Sequence, residues 1–303
     1  MTLEIVATSG NDYLAKVFVA KTEDSSLIEF VESVQPPLPR EKKWVLIVST
    51  LKGCPINCPI CDAGLKYAGK LTEEEIIDQI DYLIKRRFRD GHVPVPLFKI
   101  QFARMGDPAF NPAVLTVLKK LPSLYNIPGL MPSISTVAPK NCNGFIKDLK
   151  EIKDSLYSDG RFQMQFSLHT TDDKRRRDLV PANTMSLKEM AASGDDFYKK
   201  GDRKITLNFA AVEGYPVDAR VIADIFNPEK YIIKLTPVNP TNSSKKAGLK
   251  GIIIPGKKES WETLKKNFTS SGFDVIVSIG EQQENKIGSN CGMYVANTRV
   301  IIK

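Results

Sequence analysis

Residues 54–61 read Cys54-Pro55-Ile56-Asn57-Cys58-Pro59-Ile60-Cys61, three thiols spaced C-x3-C-x2-C directly after the apolar run 44–48. Thiolates are soft ligands, and three this close suit an iron–sulfur cluster, which neighbouring cysteines can wrap. A cuboidal [4Fe-4S] cluster held by three local cysteines keeps one iron open for a ligand that is not protein. Two other readings compete with this one. A tetrahedral zinc site wants a fourth Cys or His at recognisable spacing, and the chain has only two histidines, His92 and His169. The other alternative is a group of packed free thiols. The two remaining cysteines, Cys142 and Cys291, stand apart from the loop, and Cys291 lies among Gly288, Ser289, Asn290 and Gly292 in a polar stretch. A lone cysteine is usually a small buried hydrophobe.

The elements that must position these thiols alternate along the chain. Short apolar or alternating runs at 3–7, 13–20 and 26–34 read as strands with turns between them, stopped by Pro36, Pro37 and Pro39. Further strands are predicted at 44–49, 97–103, 132–135, 162–167, 205–211, 231–235, 273–278 and 293–302. Thr72-Glu73-Glu74-Glu75 is a capping box opening a helix to about Arg87, with Ile76, Ile77, Ile80, Leu83 and Ile84 as its apolar stripe. Asn111-Pro112 opens a second helix, and others are predicted at 144–156, 186–199, 218–226 and 260–269. Six strand–helix pairs argue for a parallel sheet with right-handed crossovers. The expected fold is α/β, an open, partial (β/α)6 TIM-like barrel with a small N-terminal β extension. Its divisions are a β-strand extension over 1–40, the barrel over 41–280 and a segment carrying Cys291 over 281–303. In such a barrel the loops at the C-terminal strand ends carry the site, and the cysteine loop, 105–108, 135–136, 167–169 and 239–240 all fall there.

Composition narrows the setting. Hydrophobic content of 42% with 26% charged residues describes a globular chain, and no apolar run approaches the length of a membrane span. Met1 to Ser9 lacks the basic start and apolar core of a signal peptide. Clustered rather than paired cysteines agree with a reducing compartment, so the cytoplasm is expected and a membrane partner is not. Net charge is +8, a lean toward a polyanionic or phosphorylated partner. The basic run 85–89 reads better as a solvated helix face than as a nucleic-acid patch; a second run spans 174–177. Residues 251–258 match phosphate-loop spacing up to the lysine, but Lys258 replaces the Mg-binding Ser/Thr and the interior is Ile-rich, which excludes that reading.

The C-x3-C-x2-C loop is the signature of radical S-adenosylmethionine (SAM) enzymes, and several motifs carry the resemblance further. Ser167-Leu168-His169, then Leu179-Val180-Pro181-Ala182-Asn183, Met105-Gly106-Asp107-Pro108, Ser135-Thr136, Pro237-Val238-Asn239-Pro240, Val31-Glu32-Ser33-Val34 and Asn290-Cys291-Gly292 resemble signatures of the RlmN/Cfr family. These are methyl synthases that modify carbon 2 or carbon 8 of an adenosine in ribosomal RNA, and the resemblance runs from about Ser9 to Tyr294. It implies that Cys54, Cys58 and Cys61 hold a [4Fe-4S] cluster. It implies that Gly106 and Asp107 meet the amino group of SAM, with Asp107 as acceptor, and that Ser135, Ser167, His169 and Asn239 contact the rest of SAM. Cys291 would take a methyl from one SAM, and a deoxyadenosyl radical from another would remove a hydrogen from it before the carbon adds to an sp2 carbon. Glu32 would serve as proton acceptor, and an electron donor such as flavodoxin or ferredoxin would supply the reductant.

The chain also departs from the family. Only 53 residues precede Cys54, room for the β extension but not for the family's RNA-associated helical domain. Ile47 stands where the family has the cysteine that breaks the covalent adduct, and Cys142 is read as an inert thiol rather than its substitute. Arg104 replaces the glycine that opens the family's Gly-Met-Gly-Glu-Pro motif, and Asp107 its glutamate. The basic stretch before the catalytic cysteine is replaced by residues 278–284, which weakens the case for the same RNA contacts. The expected function is therefore methyl-synthase-like transfer of a SAM-derived carbon through Cys291 to an RNA adenosine or a smaller heteroaromatic compound. The alternatives are a radical SAM enzyme that only abstracts hydrogen and a non-catalytic cluster protein that binds RNA.

Overall fold

The computed structural model describes residues 3–34, 37–280 and 292–295; Cys291 and residues 296–303 lie outside it. Ten strands form one sheet whose spatial order is the sequence order: β1 (Glu4–Gly10), β2 (Ala15–Lys21), β3 (Leu27–Ser33), β4 (Lys43–Val48), β5 (Leu97–Phe102), β6 (Leu130–Thr136), β7 (Gln163–Ser167), β8 (Ile205–Ala210), β9 (Tyr231–Thr236) and β10 (Asp274–Val277). The pairs from β1 to β4 are antiparallel and those from β4 to β10 are parallel. Helices α1 (Glu73–Lys85), α2 (Ala113–Leu124), α3 (Asn143–Leu156), α4 (Asp173–Leu179), α5 (Leu187–Phe197), α6 (Ala219–Ala223), α7 (Asn242–Lys246) and α8 (Glu259–Ser270) make the crossovers. The result is six strand–helix units and a seventh parallel strand, with the N-terminal meander extending the same sheet. Among the described residues no helix is long and apolar enough to cross a membrane.

Local chemistry accounts for the helix starts. Thr72 accepts from the Glu75 amide while the Glu75 carboxylate accepts from the Thr72 amide, and Ser186 and Glu189 repeat the arrangement at α5. Alternate strand residues face opposite ways. Trp44, Leu46 and Val48 of β4 and Phe98, Ile100 and Phe102 of β5 are buried in the main core together with Ile76, Ile80 and Leu83 of α1. The other set faces the concave side and is largely polar. Lys99 of β5 reaches Gln163 of β7 across the intervening strand, with Nζ donating to Oε1 at 2.7 Å.

Two expectations need correction. Residues 293–295 are helical rather than the start of a strand, and the rest of that predicted strand lies outside the described residues. The 85–89 run is exposed at Lys85, Arg86 and Arg89 but is not merely a solvated face. Arg86 and Arg87 close on Glu32, with Arg86 Nη1 3.0 Å from Oε1 and Arg87 Nε 2.7 Å from Oε2, and Arg87 also pairs with Asp12 at 2.9 Å. This clamp ties β3 to the end of α1 from the helix side of the sheet. Glu32 is 1% exposed, so removing its carboxylate leaves two guanidinium groups without their shared acceptor. Glu32→Ala is expected to lower stability by about 1–3 kcal/mol, read from the midpoint of urea unfolding.

Candidate active site

The loop after β4 carries Cys54, Cys58 and Cys61, all half-buried. Asn57 adopts a left-handed conformation with φ 56°, and the Cys61 amide closes a turn on the Cys58 carbonyl at 3.0 Å. Three anchors fix the loop. The Asn111 amide nitrogen donates to the carbonyls of Thr50 and Leu71, both at 2.8 Å. Lys52 exchanges backbone hydrogen bonds with the 68–69 segment. The Asp62 carboxylate accepts from the amides of Asn242 and Ser243 at 3.0 and 2.8 Å, binding the loop to the start of α7.

Burial pushes the Cys54 thiol up to about 11, and burial followed by the charge of Cys54 pushes Cys58 up to about 12; the Asp107 carboxylate adds to both. Thiolates crowded in this way call for a positively charged partner, which an iron–sulfur cluster provides. Among the described residues no three Cys, His, Asp or Glu side chains converge tightly enough for one metal ion. Three soft donors on one short loop fit the three cysteine-held corners of an iron–sulfur cluster.

The C-terminal strand ends supply the rest of the rim. Gly106 has φ 86°, and a Cβ there would lie 2.4 Å from the Leu51 side chain, so glycine lets the 105–107 turn settle onto the cysteine loop. Asp107, expected as the acceptor for SAM, already binds its own backbone and a neighbouring strand end. Its oxygens take the Thr136 hydroxyl at 2.8 and 3.0 Å, the Val137 amide at 2.7 Å and the Ala109 amide at 3.0 Å. It is a strut between the ends of β5 and β6, and burial raises its pKa to about 6. In contrast, no hydrogen bond joins the Ser135 or Ser167 hydroxyl or the Asn239 side-chain amide to another described residue. His169 sits at φ 66°, and its Nδ1 accepts from the Ala210 amide at 3.1 Å. Burial, then the nearby Arg176 charge, pushes its pKa down to about 3, so the ring is neutral.

Arg176 was hidden within the 174–177 run. It is 1% exposed, and its Nε donates to the Leu168 carbonyl at 3.1 Å. Nη2 donates to the carbonyls of Val137 and Ser167, both at 2.8 Å, and Nη1 donates to Thr184 Oγ1 at 2.6 Å. Its position in the first turns of a helix capped by Asp172 was the available signal, since a side chain there points back toward the strand end.

Glu32 is also not where a proton acceptor belongs, because the Arg86–Arg87 clamp holds it on the opposite face of β3 from Glu29. Glu29 is fully buried and pairs with Arg104, Oε1 lying 2.7 Å from Nη2. The same carboxylate accepts from the backbone amides of Gly292 and Val295, the latter at 2.8 Å. Burial raises the Glu29 pKa, and the charge of Arg104 opposes the rise. Gly292 has φ 77°, and a Cβ there would stand 2.2 Å from the Ala63 amide nitrogen, so the segment presses against the backbone following Cys61. Tyr294 and Ile47 both pack against the cluster of Leu14, Ala15, Val17 and Val31. Strand alternation could have separated Glu29 from Glu32, since three residues apart places them on opposite faces. Cys291 itself lies outside the described residues. Cys142 is buried behind the rim, its thiol pushed up to about 12 by burial and then by Asp107.

Two measurements test this geometry. Arg104→Met leaves the Glu29 carboxylate buried without its cation, and the urea midpoint is expected to fall by the equivalent of about 3–5 kcal/mol. The second concerns pH. His169 is neutral when folded but takes a proton near pH ~6.5 when unfolded, so its contribution to stability is present above that pH and is lost as pH falls toward its folded pKa. His169→Asn keeps an acceptor for Ala210 and tolerates a left-handed backbone. Its stability is expected to fall less steeply than that of the unaltered protein between pH ~6.5 and ~4, measured by urea unfolding at each pH.

No family profile matches the chain. Curated relatives do: the "Probable dual-specificity RNA methyltransferase RlmN" of a Thermus thermophilus strain is 26% identical over 260 residues, covering 84% of this chain and 68% of the relative. The protein of the same name from Streptomyces griseus is 25% identical over 293 residues, covering 92% and 73%. Among solved structures, a radical SAM methyltransferase from Sphaerobacter thermophilus superposes with a TM-score of 0.74 at 20% identity, covering 97% of this chain and 81% of that one. In sequence the chain is thus a relative of the RlmN RNA methyltransferases, and its fold is that of a radical SAM methyltransferase.

Proposed function

We propose that this chain is a radical SAM enzyme of the methyl-synthase kind, which passes a SAM-derived carbon through Cys291 to an sp2 carbon of an RNA adenosine or a smaller heteroaromatic compound. The observation that carries the reading is the meeting of two segments remote in sequence. Gly292, which follows Cys291, is wedged against Ala63 in the loop that carries Cys54, Cys58 and Cys61. A [4Fe-4S] cluster on those thiols, with SAM beside it, supplies one-electron chemistry and the carbon unit when bound. The residues of this chain do the positioning. Ser135, Ser167 and Asn239 offer hydrogen-bonding groups to SAM at the strand ends, Gly106 keeps the backbone close, and neutral His169 fixes the ends of β7 and β8 without adding charge. Glu29 and Arg104 seat residues 292–295. Flavodoxin or ferredoxin is the fitting class of electron donor, in a reducing compartment such as the cytoplasm.

A second reading, hydrogen abstraction without methyl transfer, is favoured by Ile47, which offers no thiol where the family has its resolving cysteine. The two separate on anaerobic turnover of the iron-reconstituted protein with SAM and a strong reductant, followed by mass spectrometry of the peptide containing Cys291. Methyl-synthase chemistry is expected to leave a methyl on Cys291 and to release deoxyadenosine and S-adenosylhomocysteine. Deoxyadenosine with an unmodified Cys291 would sink the first reading and leave the second.

A further inference from the structure

The concave side of the sheet carries cations with no acid to match them. Lys43 and Lys99 lie on adjacent strands two residues apart in register, because Val45 pairs beside Lys99. Lys234 of β9 stands beside Asn208 of β8, which stands beside Ser167 of β7. Lys99 is 8% exposed, and its Nζ meets only a neutral acceptor, Gln163 Oε1 at 2.7 Å. The Gln163 amide in turn reaches Thr206 Oγ1 at 3.3 Å. Among the described residues none of the three lysines forms an ion pair. Asp274, the acid at the start of β10, is already taken by Lys204 at 2.6 Å. Asn208 Oδ1 is buried in the same space without a hydrogen-bond partner.

Ammonium groups drawn out of water without a counter-charge cost several kcal/mol each, so a fold that gathers them either strips their protons or supplies an anion. Burial holds Lys99 well below the usual lysine range, and the charges of Lys234, Lys43 and Arg203 push it the same way. Burial lowers Lys43 and Lys234 as well, the latter also through the charge of Lys43. A bound carboxylate or phosphate would satisfy the whole group at once.

We propose that Lys99, Lys234 and Lys43 form an anion site inside the barrel that receives the terminal carboxylate or phosphate of a small-molecule substrate. Lys99 lies three residues before the end of β5, about 10 Å below the rim at the strand rise of ~3.3 Å per residue. A terminal anionic group reaches that depth, whereas an internal phosphodiester would have to draw both flanking nucleotides in with it. Lys234 and Asn208 share a register row with Ser167, so a ligand anchored on the lysines would extend upward to the strand ends. Naming this ligand as the substrate rests on the reading given under Proposed function; the anion site itself does not.

The test uses the full chain without cluster or SAM. Inorganic phosphate and acetate are titrated in separate arms by calorimetry and by melting temperature, on the unaltered protein and on the Lys99→Met, Lys234→Met and Lys99→Arg variants. At least one anion is expected to bind and to raise the melting temperature. Each Met variant should weaken binding at least tenfold, while Lys99→Arg retains it. Preference for phosphate or acetate identifies the anionic end as phosphoryl or carboxylate. Without anion, both Met variants should melt no lower than the unaltered protein, since each removes a buried charge. Binding by neither anion, binding untouched by the Met variants, or a lower melting temperature for Lys99→Met would overturn the site. Anion binding together with an unmethylated Cys291 after turnover would keep the site and sink only the methyl-transfer reading.

Discussion

The rim of this barrel depends on one buried guanidinium. Parallel strands end by leaving carbonyls that no further ladder can satisfy, and here the carbonyls of Val137, Ser167 and Leu168 converge on Arg176. A buried carbonyl left unpaired costs about 1–3 kcal/mol, so irregular backbone at the ends of β6 and β7 is tolerable because Arg176 accepts the task for both. The left-handed turn at His169 and the exit of β6 toward Cys142 follow from that fixed point. Asp107 performs the complementary job with its acceptor oxygens, taking donors from residues 136–137. Between them, a cation and an anion hold the frame on which Ser135 and Ser167 remain available.

The two faces of the sheet obey different rules. Its outer face is an apolar layer under helices, with Trp44, Phe98, Phe102 and Phe166 fully buried. The concave face is polar, lined by Lys99, Gln163, Thr206 and Asn208, and its ordering comes from hydrogen bonds across strands rather than from close packing. Glu29 and Arg104 are a fully buried ion pair at the upper end of that face, and together they meet the 292–295 backbone. A charge that binds backbone amides can hold a segment in place without enclosing it in a hydrophobic core, so a segment can lie over an otherwise open barrel.

Much of this was legible in residue order. The strand periodicities, the capping box at Thr72 and the crossover pattern determined the fold, because each depends on neighbours within a few residues. The cysteine loop and the Ser135, Ser167 and Asn239 positions were legible because their spacing relative to strand ends places them on one rim. What could not be read was the direction of long polar side chains. Glu32 and Arg176 looked like a functional carboxylate and part of a surface run, yet both are buried in structural contacts with partners 55 and 39 residues away. Asp107 matched a motif, but that its carboxylate also ties Thr136 and Val137 could not be read, since that pairing is fixed only when β5 and β6 lie side by side. The helix at 173–179 escaped notice because every residue before Leu179 is charged, which leaves no apolar stripe to read.

The coincidence of strand order with sequence order has a kinetic consequence. Every sheet pairing joins successive strands, so the barrel can zip up one unit at a time with modest loop-closure cost at each step. The long closures are made by side chains instead: Asp62 binds the amides of Asn242 and Ser243, 180 and 181 residues on, and Glu29 binds those of Gly292 and Val295, 263 and 266 residues on. Arg104 meets Glu29 once β5 joins β4, so the buried acid is already paired and oriented for amides that come much later in the chain. Assembly of the scaffold and completion of the site are therefore separable events in time, and the second is a docking reaction onto a surface the first has already built.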